Sequence, residues 1–187
     1  MVRRVELGLV NGDFCDGFRA VDDVHELTVA EGWMPWWQEG GTPEGVQDGG
    51  EPGYLWRPEY QAEDASRFGH RRVRTGNWSQ KVFSTFATHN AGLYQRVSGV
   101  PVGGRVTFSC WVQVWSSQQD DPDVSRRHGR YRTCVGIDPR GGTDPLSPDV
   151  VWGDMVEQYD AWGRRSVSVA SASDTITVFA RGTVQWR

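Results

Sequence analysis

The amino-acid sequence predicts an all-β sandwich or jelly roll, and three observations carry that prediction. The longest patterned run, Arg105 to Trp115, has a period of two. Val106, Phe108, Cys110, Val112 and Val114 fall on one face, and Thr107, Ser109, Trp111, Gln113 and Trp115 on the other. A helix needs apolar residues three and four apart, which this run of β-branched and aromatic residues denies. Turn signals recur between such runs, at Asn11-Gly12-Asp13, Gly40-Gly41, Gly49-Gly50, Pro101 to Gly104, Asp120 to Asp123 and Gly141-Gly142, as expected where short strands are joined. No stretch has convincing helical amphipathicity, and many short strands so punctuated form a sandwich.

In chain order the strand-like runs are Val5 to Val10, Val82 to Phe86, Leu93 to Val97, Arg105 to Trp115, Tyr131 to Ile137, Val167 to Ala170 and Thr175 to Ala180. The stretch from Glu31 to Ser66 differs in texture, with glycine, proline and acidic residues studded with Trp33, Trp36, Trp37, Tyr54, Trp56 and Tyr60. A loop of that length inside a domain tends to be functional, and with so many rings it is expected to fold over the sandwich. No internal repeat or second domain is visible, so residues 1–187 read as one β-sandwich domain.

Composition bounds the function. The chain has 187 residues, a net charge of −4 and a pI of about 5.6, which argues against a general binder of nucleic acid or of anionic membranes. No apolar run approaches the ~18 residues of a membrane span, and Met1-Val2-Arg3-Arg4 lacks the apolar stretch of a signal peptide. Glycine and proline number 23 and 9, together above the usual share of ~12%. The three cysteines, Cys15, Cys110 and Cys134, form no Cys-x-x-Cys pair. Cys110 and Cys134 either bridge neighbouring strands or serve as small buried hydrophobes.

Catalytic signatures are missing. There is no Gly-rich phosphate loop, His-Glu-x-x-His helix, Gly-x-Ser-x-Gly elbow or dinucleotide fingerprint, and the four histidines are scattered. Lys81 is the single lysine. The Asp120, Asp121 and Asp123 cluster reads as a turn around Pro122, and Asp138 to Asp144 as a glycine turn without EF-hand spacing. The chain is therefore expected not to be an enzyme.

The ten tryptophans point instead to binding. An aromatic ring offers a flat apolar face to the C–H groups of a sugar, while flanking amide, carboxylate and guanidinium groups fix its hydroxyls. Trp111, Gln113 and Trp115 alternate on one strand and so point the same way. They are core if the second sheet or the long loop covers them, and a site if it does not. Trp36 and Trp37, being adjacent, point oppositely, so that one anchors the loop and the other is available to a ligand. The expected stacking residues are Trp37, Trp56 and Trp115, and the expected hydrogen-bonding groups are Tyr60, His89 and Gln113. His89-Asn90 also reads as a hairpin connection with a hydrogen-bonded histidine.

The opening Leu9-Val10-Asn11-Gly12-Asp13-Phe14, with Gly17-Phe18 and Gly32-Trp33, resembles the start of carbohydrate-binding modules of the galactose-binding-like jelly-roll fold. Asp174 to Arg181 looks like their penultimate strand. The blocks Thr88 to Gln95, Phe108 to Ser117 and Gly136 to Thr143 are similar to bacterial extracellular domains of this kind. The resemblance implies a jelly roll with one long aromatic-rich loop and a non-catalytic module that binds a polysaccharide or glycan. It also implies an extracellular or cell- or virion-surface location and no cofactor beyond a structural calcium. The glutamate that usually follows the Asn-Gly-x-Phe opening and helps hold that calcium is Cys15 here. The chain stops at Val184-Gln185-Trp186-Arg187 without the usual acidic last strand, so the sheet is expected to lack a final strand and leave an edge open. The alternative is a structural or assembly protein, a virion or cell-surface decoration subunit, using the same jelly roll for contacts with itself or another surface protein. Neither reading has a nucleic-acid partner or inserts into a membrane.

Overall fold

The structure, a computed structural model, describes residues 8–41, 47–48, 51–52, 54–121, 123–126 and 129–185. Its strands are β1 (Phe18–Val21), β2 (Val24–Ala30), β3 (Met34–Trp37), β4 (Gln47–Asp48), β5 (Glu51–Pro52), β6 (Glu59–Asp64), β7 (Trp78–Phe83), β8 (Asn90–Ser98), β9 (Arg105–Gln113), β10 (Tyr131–Asp138), β11 (Val151–Trp152), β12 (Trp162–Ala170) and β13 (Thr175–Val184). A single helical turn, Ala65–Phe68, runs into a 3-10 turn, Gly69–Arg71.

One layer is a five-stranded sheet in the order β11-β10-β13-β8-β3, antiparallel throughout. The facing layer is divided. It consists of a four-stranded sheet β1-β2-β6-β7 and a separate ribbon β12-β9, and the whole is a β-sandwich of jelly-roll type. Alternation builds the core between the layers. Leu93 and Val97 of β8, Val135 and Ile137 of β10, and Ile176 and Val178 of β13 meet Leu27, Val29 and Tyr60 from one half and Phe108 and Val167 from the other. A second cluster, Trp36, Val150 and Phe179 with Tyr94 and Trp152 against it, covers the outer face of the five-stranded sheet.

The tract from Glu31 to Ser66 is not one loop. It supplies β3 at the edge of the five-stranded sheet and β6 in the four-stranded one, and its indoles are used accordingly: Trp33 and Trp36 are buried in the two clusters. Half of the run Val5 to Val10, residues 5–7, lies outside the described residues, and Gly8, Leu9 and Val10 are not in a strand. The open edge expected at the C-terminal strand is also elsewhere. β13 is paired on both sides, by β10 and β8, whereas β7 and β9 each have one partner, β6 and β12. Cys110 and Cys134 sit in different layers as free thiols, and burial pushes them up to about 12 and about 11. No helix among the described residues is long and apolar enough to cross a membrane.

Candidate functional site: a cleft between two strand edges

The division of the second layer leaves a cleft of about 1340 Å³. Every residue of β7, Trp78 to Phe83, lines it, and so does β9 from Phe108 to Gln113. Consecutive residues alternate in direction along a strand, so a wall to which every one of them contributes is a strand edge, not a strand face. The floor is the inner side of the five-stranded sheet, at Ala91, Leu93, Ala180 and Gly182. Ala91, Ala180 and Gly182 are small where a closed sandwich would have large side chains.

The β9 wall carries Trp111, 46% exposed, and the half-buried Gln113 and Trp115. The β7 wall carries Trp78, 38% exposed, whose ring lies 6.1 Å from that of Phe18. Among the described residues the Trp78 and Trp111 indole nitrogens and the Gln113 amide have no hydrogen-bond partner. They are donors and acceptors in a cleft whose lining mixes aromatic rings with polar and charged side chains. Trp115 donates from Nε1 to the Asp121 carbonyl at 3.0 Å, which fixes its indole.

The segment that joins β6 to β7 forms the outer rim and brings guanidinium groups to these rings. The Arg74 Cζ lies 3.9 Å from the Trp111 ring centre, Arg72 4.9 Å from that of Trp115, and Arg67 4.9 Å from that of Phe68. Asp64 caps the start of the segment by accepting from the Ser66 N–H at 2.7 Å, the usual role of an acidic N-cap. Arg71 pairs with Asp123, and the Trp162 indole donates to the His70 carbonyl at 3.0 Å. The rim is thereby tied to β12 and to the loop after β9. Beneath it, Lys81 pairs with the buried Glu63 at 2.9 Å.

His89 lies buried at one end of the floor. Ser84 Oγ donates to the Ala87 carbonyl at 2.8 Å and lies 2.7 Å from His89 Nδ1. Nδ1 therefore carries the ring proton, and Nε2 accepts from the Tyr131 hydroxyl at 2.9 Å. Burial holds the imidazole well below its ordinary value, at about 4, so it is neutral near pH 7. Its hydrogen bonds are all internal.

Of the six residues expected from sequence, the cleft brings together His89, Gln113 and Trp115. The other three lie elsewhere. Tyr60 is 0% exposed, and its hydroxyl donates to the Trp36 carbonyl at 2.6 Å, so it is a core residue and cannot meet a ligand. Trp37 packs half-buried against the main core, because both sides of β3 are covered. Trp56 is 52% exposed, with its ring 4.6 Å from that of Tyr54, but it does not line the cleft. Sequence reasoning left Trp111 open between core and site and missed Trp78 and the three rim arginines. Arg74 and Arg72 meet Trp111 and Trp115 only through tertiary packing, and no local spacing announces it.

The loop at Asn11 does not fit the calcium that the resemblance implies. The Asn11 side chain donates to the Gly17 carbonyl at 3.0 Å and accepts from the Asp16 N–H at 2.9 Å, while its carbonyl accepts from Trp33 Nε1 at 3.1 Å. The Asn11 oxygens thus serve the loop itself, and a thiol, Cys15, stands where the resemblance implies a carboxylate.

No family model matches the chain, and no curated protein matches it. Among solved structures, that of TmCBM61 in complex with β-1,4-galactotriose is similar, with 10% sequence identity and a TM-score of 0.48 over 83% of this chain and 80% of that one.

Proposed function

We propose that the chain is a non-catalytic carbohydrate-binding domain and that the cleft between β7 and β9 holds the glycan. The observation that supports this reading is the pair of walls. Exposed indoles, Trp78 on one and Trp111, with Arg74 over one of its faces, on the other, flank the Gln113 amide. Apolar ring faces beside a few polar groups with free valences suit a sugar, which has an apolar C–H face and an equatorial belt of hydroxyls. A cleft open between two edges accommodates a chain running through it, so the ligand is a polysaccharide segment instead of a terminal monosaccharide.

Affinity electrophoresis of the full chain through gels containing a panel of soluble polysaccharides tests the proposal. At least one polymer is expected to retard the protein. Trp111→Ala and Trp78→Ala are each expected to weaken retention about tenfold, equivalent to roughly 1.4 kcal/mol of lost stacking, with the melting temperature almost unchanged because both rings are exposed. Retention by no polymer, or retention that ignores both substitutions, would overturn it.

A further inference from the structure

The rim of the cleft gathers Arg67, Arg72 and Arg74 within eight residues, in a protein whose net charge is −4. The Lys81–Glu63 pair is self-contained. Arg67 and Arg74 are exposed and form no ion pair among the described residues. Each lies over an aromatic ring, Phe68 and Trp111 respectively. Arg72 stands between them over Phe68 and Trp115, at 5.3 and 4.9 Å.

We infer that the ligand is an acidic polysaccharide and that Arg67 and Arg74 read its anionic groups. This rests on the glycan reading of the same cleft and names the substrate class. A guanidinium laid on a ring keeps its N–H donors in its own plane, directed outward past the ring edge. That edge is a fork which matches a carboxylate or sulfate with two parallel hydrogen bonds. Stacking fixes the fork before a ligand arrives, so little side-chain freedom is lost on binding. The sugar bearing the anion would lie against the part of the indole that Arg74 leaves uncovered while the fork takes its charge. A neutral glycan would leave the Arg67 and Arg74 guanidinium groups without an anionic partner among the described residues.

The test compares polymers that differ in charge and little else: polygalacturonate against its fully methyl-esterified form, and chondroitin sulfate against its desulfated form, run with neutral polysaccharides on the intact chain. Retention by either acidic polymer is expected, lost on esterification or desulfation and weakened severalfold between 50 and 300 mM NaCl, roughly the range over which screening of exposed charges sets in. Loss on esterification assigns a carboxylate ligand and loss on desulfation a sulfate. Arg74→Gln and Arg67→Gln, both at exposed positions, are each expected to weaken acidic binding about tenfold, and Arg74→Lys to recover only part of it because the fork is missing. Binding of neutral polymers that depends on Trp111 and ignores both arginine substitutions would overturn the acidic ligand while leaving the glycan reading intact. Binding of no polymer, acidic or neutral, would overturn both.

Discussion

Single residues decide what the cleft can and cannot be, and His89 is the clearest case. In the unfolded chain it gains a proton as pH falls through about 6.5, whereas in the folded protein it stays neutral until about 4. Between these values the unfolded state binds more protons, so stability declines as pH falls, and the loss is complete below about pH 4. That window corresponds to roughly 3 kcal/mol. Thermal melts of the parent and of His89→Gln between pH 7 and pH 4 are expected to show a steeper decline in the parent; parallel curves would place the charge elsewhere. The site was legible in the sequence to the extent that it is local. Trp111, Gln113 and Trp115 follow from alternation along one strand. Tyr60 carries the same chemistry but pairs across β6 and β7 with Val82, on the side packed into the core, a fact no window of sequence contains.

At the scale of elements, the four-stranded sheet has a weak seam that one side chain repairs. β2 and β6 run parallel with a single register pair, Leu27 with Tyr60. Beyond it, Gln80 of β7 supplies the missing bonds: Oε1 accepts from the Ala30 N–H at 2.8 Å, and Nε2 donates to the Thr28 and Gln61 carbonyls at 3.1 and 3.2 Å. Gln80→Ala strands the Ala30 N–H and is expected to cost about 2 kcal/mol in urea denaturation, with faster amide exchange at Ala30. A change below about 0.5 kcal/mol would mean that water replaces the amide without loss. The same seam explains which strands could be read from sequence. β8, β9, β10 and β13 alternate cleanly or run apolar, because they have the core on one or both sides. β6, with sequence Glu59-Tyr60-Gln61-Ala62-Glu63-Asp64, is mostly polar, and β7 has a polar centre at Ser79-Gln80-Lys81. β3 is a short edge strand with Pro35, which suits an edge but reads as a loop. Of the two strands that border the cleft, only β9 announces itself, because Val106, Phe108 and Cys110 face the core; β7 has the weaker pattern.

For the whole molecule, the division of one layer is the organising fact. A jelly roll whose two layers closed completely would bury the edges of β7 and β9 against each other. Here the two edges stand apart, the rim segment is tied to the far side through Arg71 with Asp123 and Trp162 with His70, and the gap is lined by rings and guanidinium groups. Charge is distributed to match, with cationic groups at the rim of an acidic protein. The most direct measurement of this account is a ¹H–¹⁵N titration of the tryptophan indole signals with an oligosaccharide of the polymer that the gels select. The account predicts saturable shifts of the Trp78 and Trp111 indoles, with those of Trp33 and Trp36, buried in the two clusters, unmoved. Shifts confined to Trp56, or no indole shift at a saturating concentration, would contradict it.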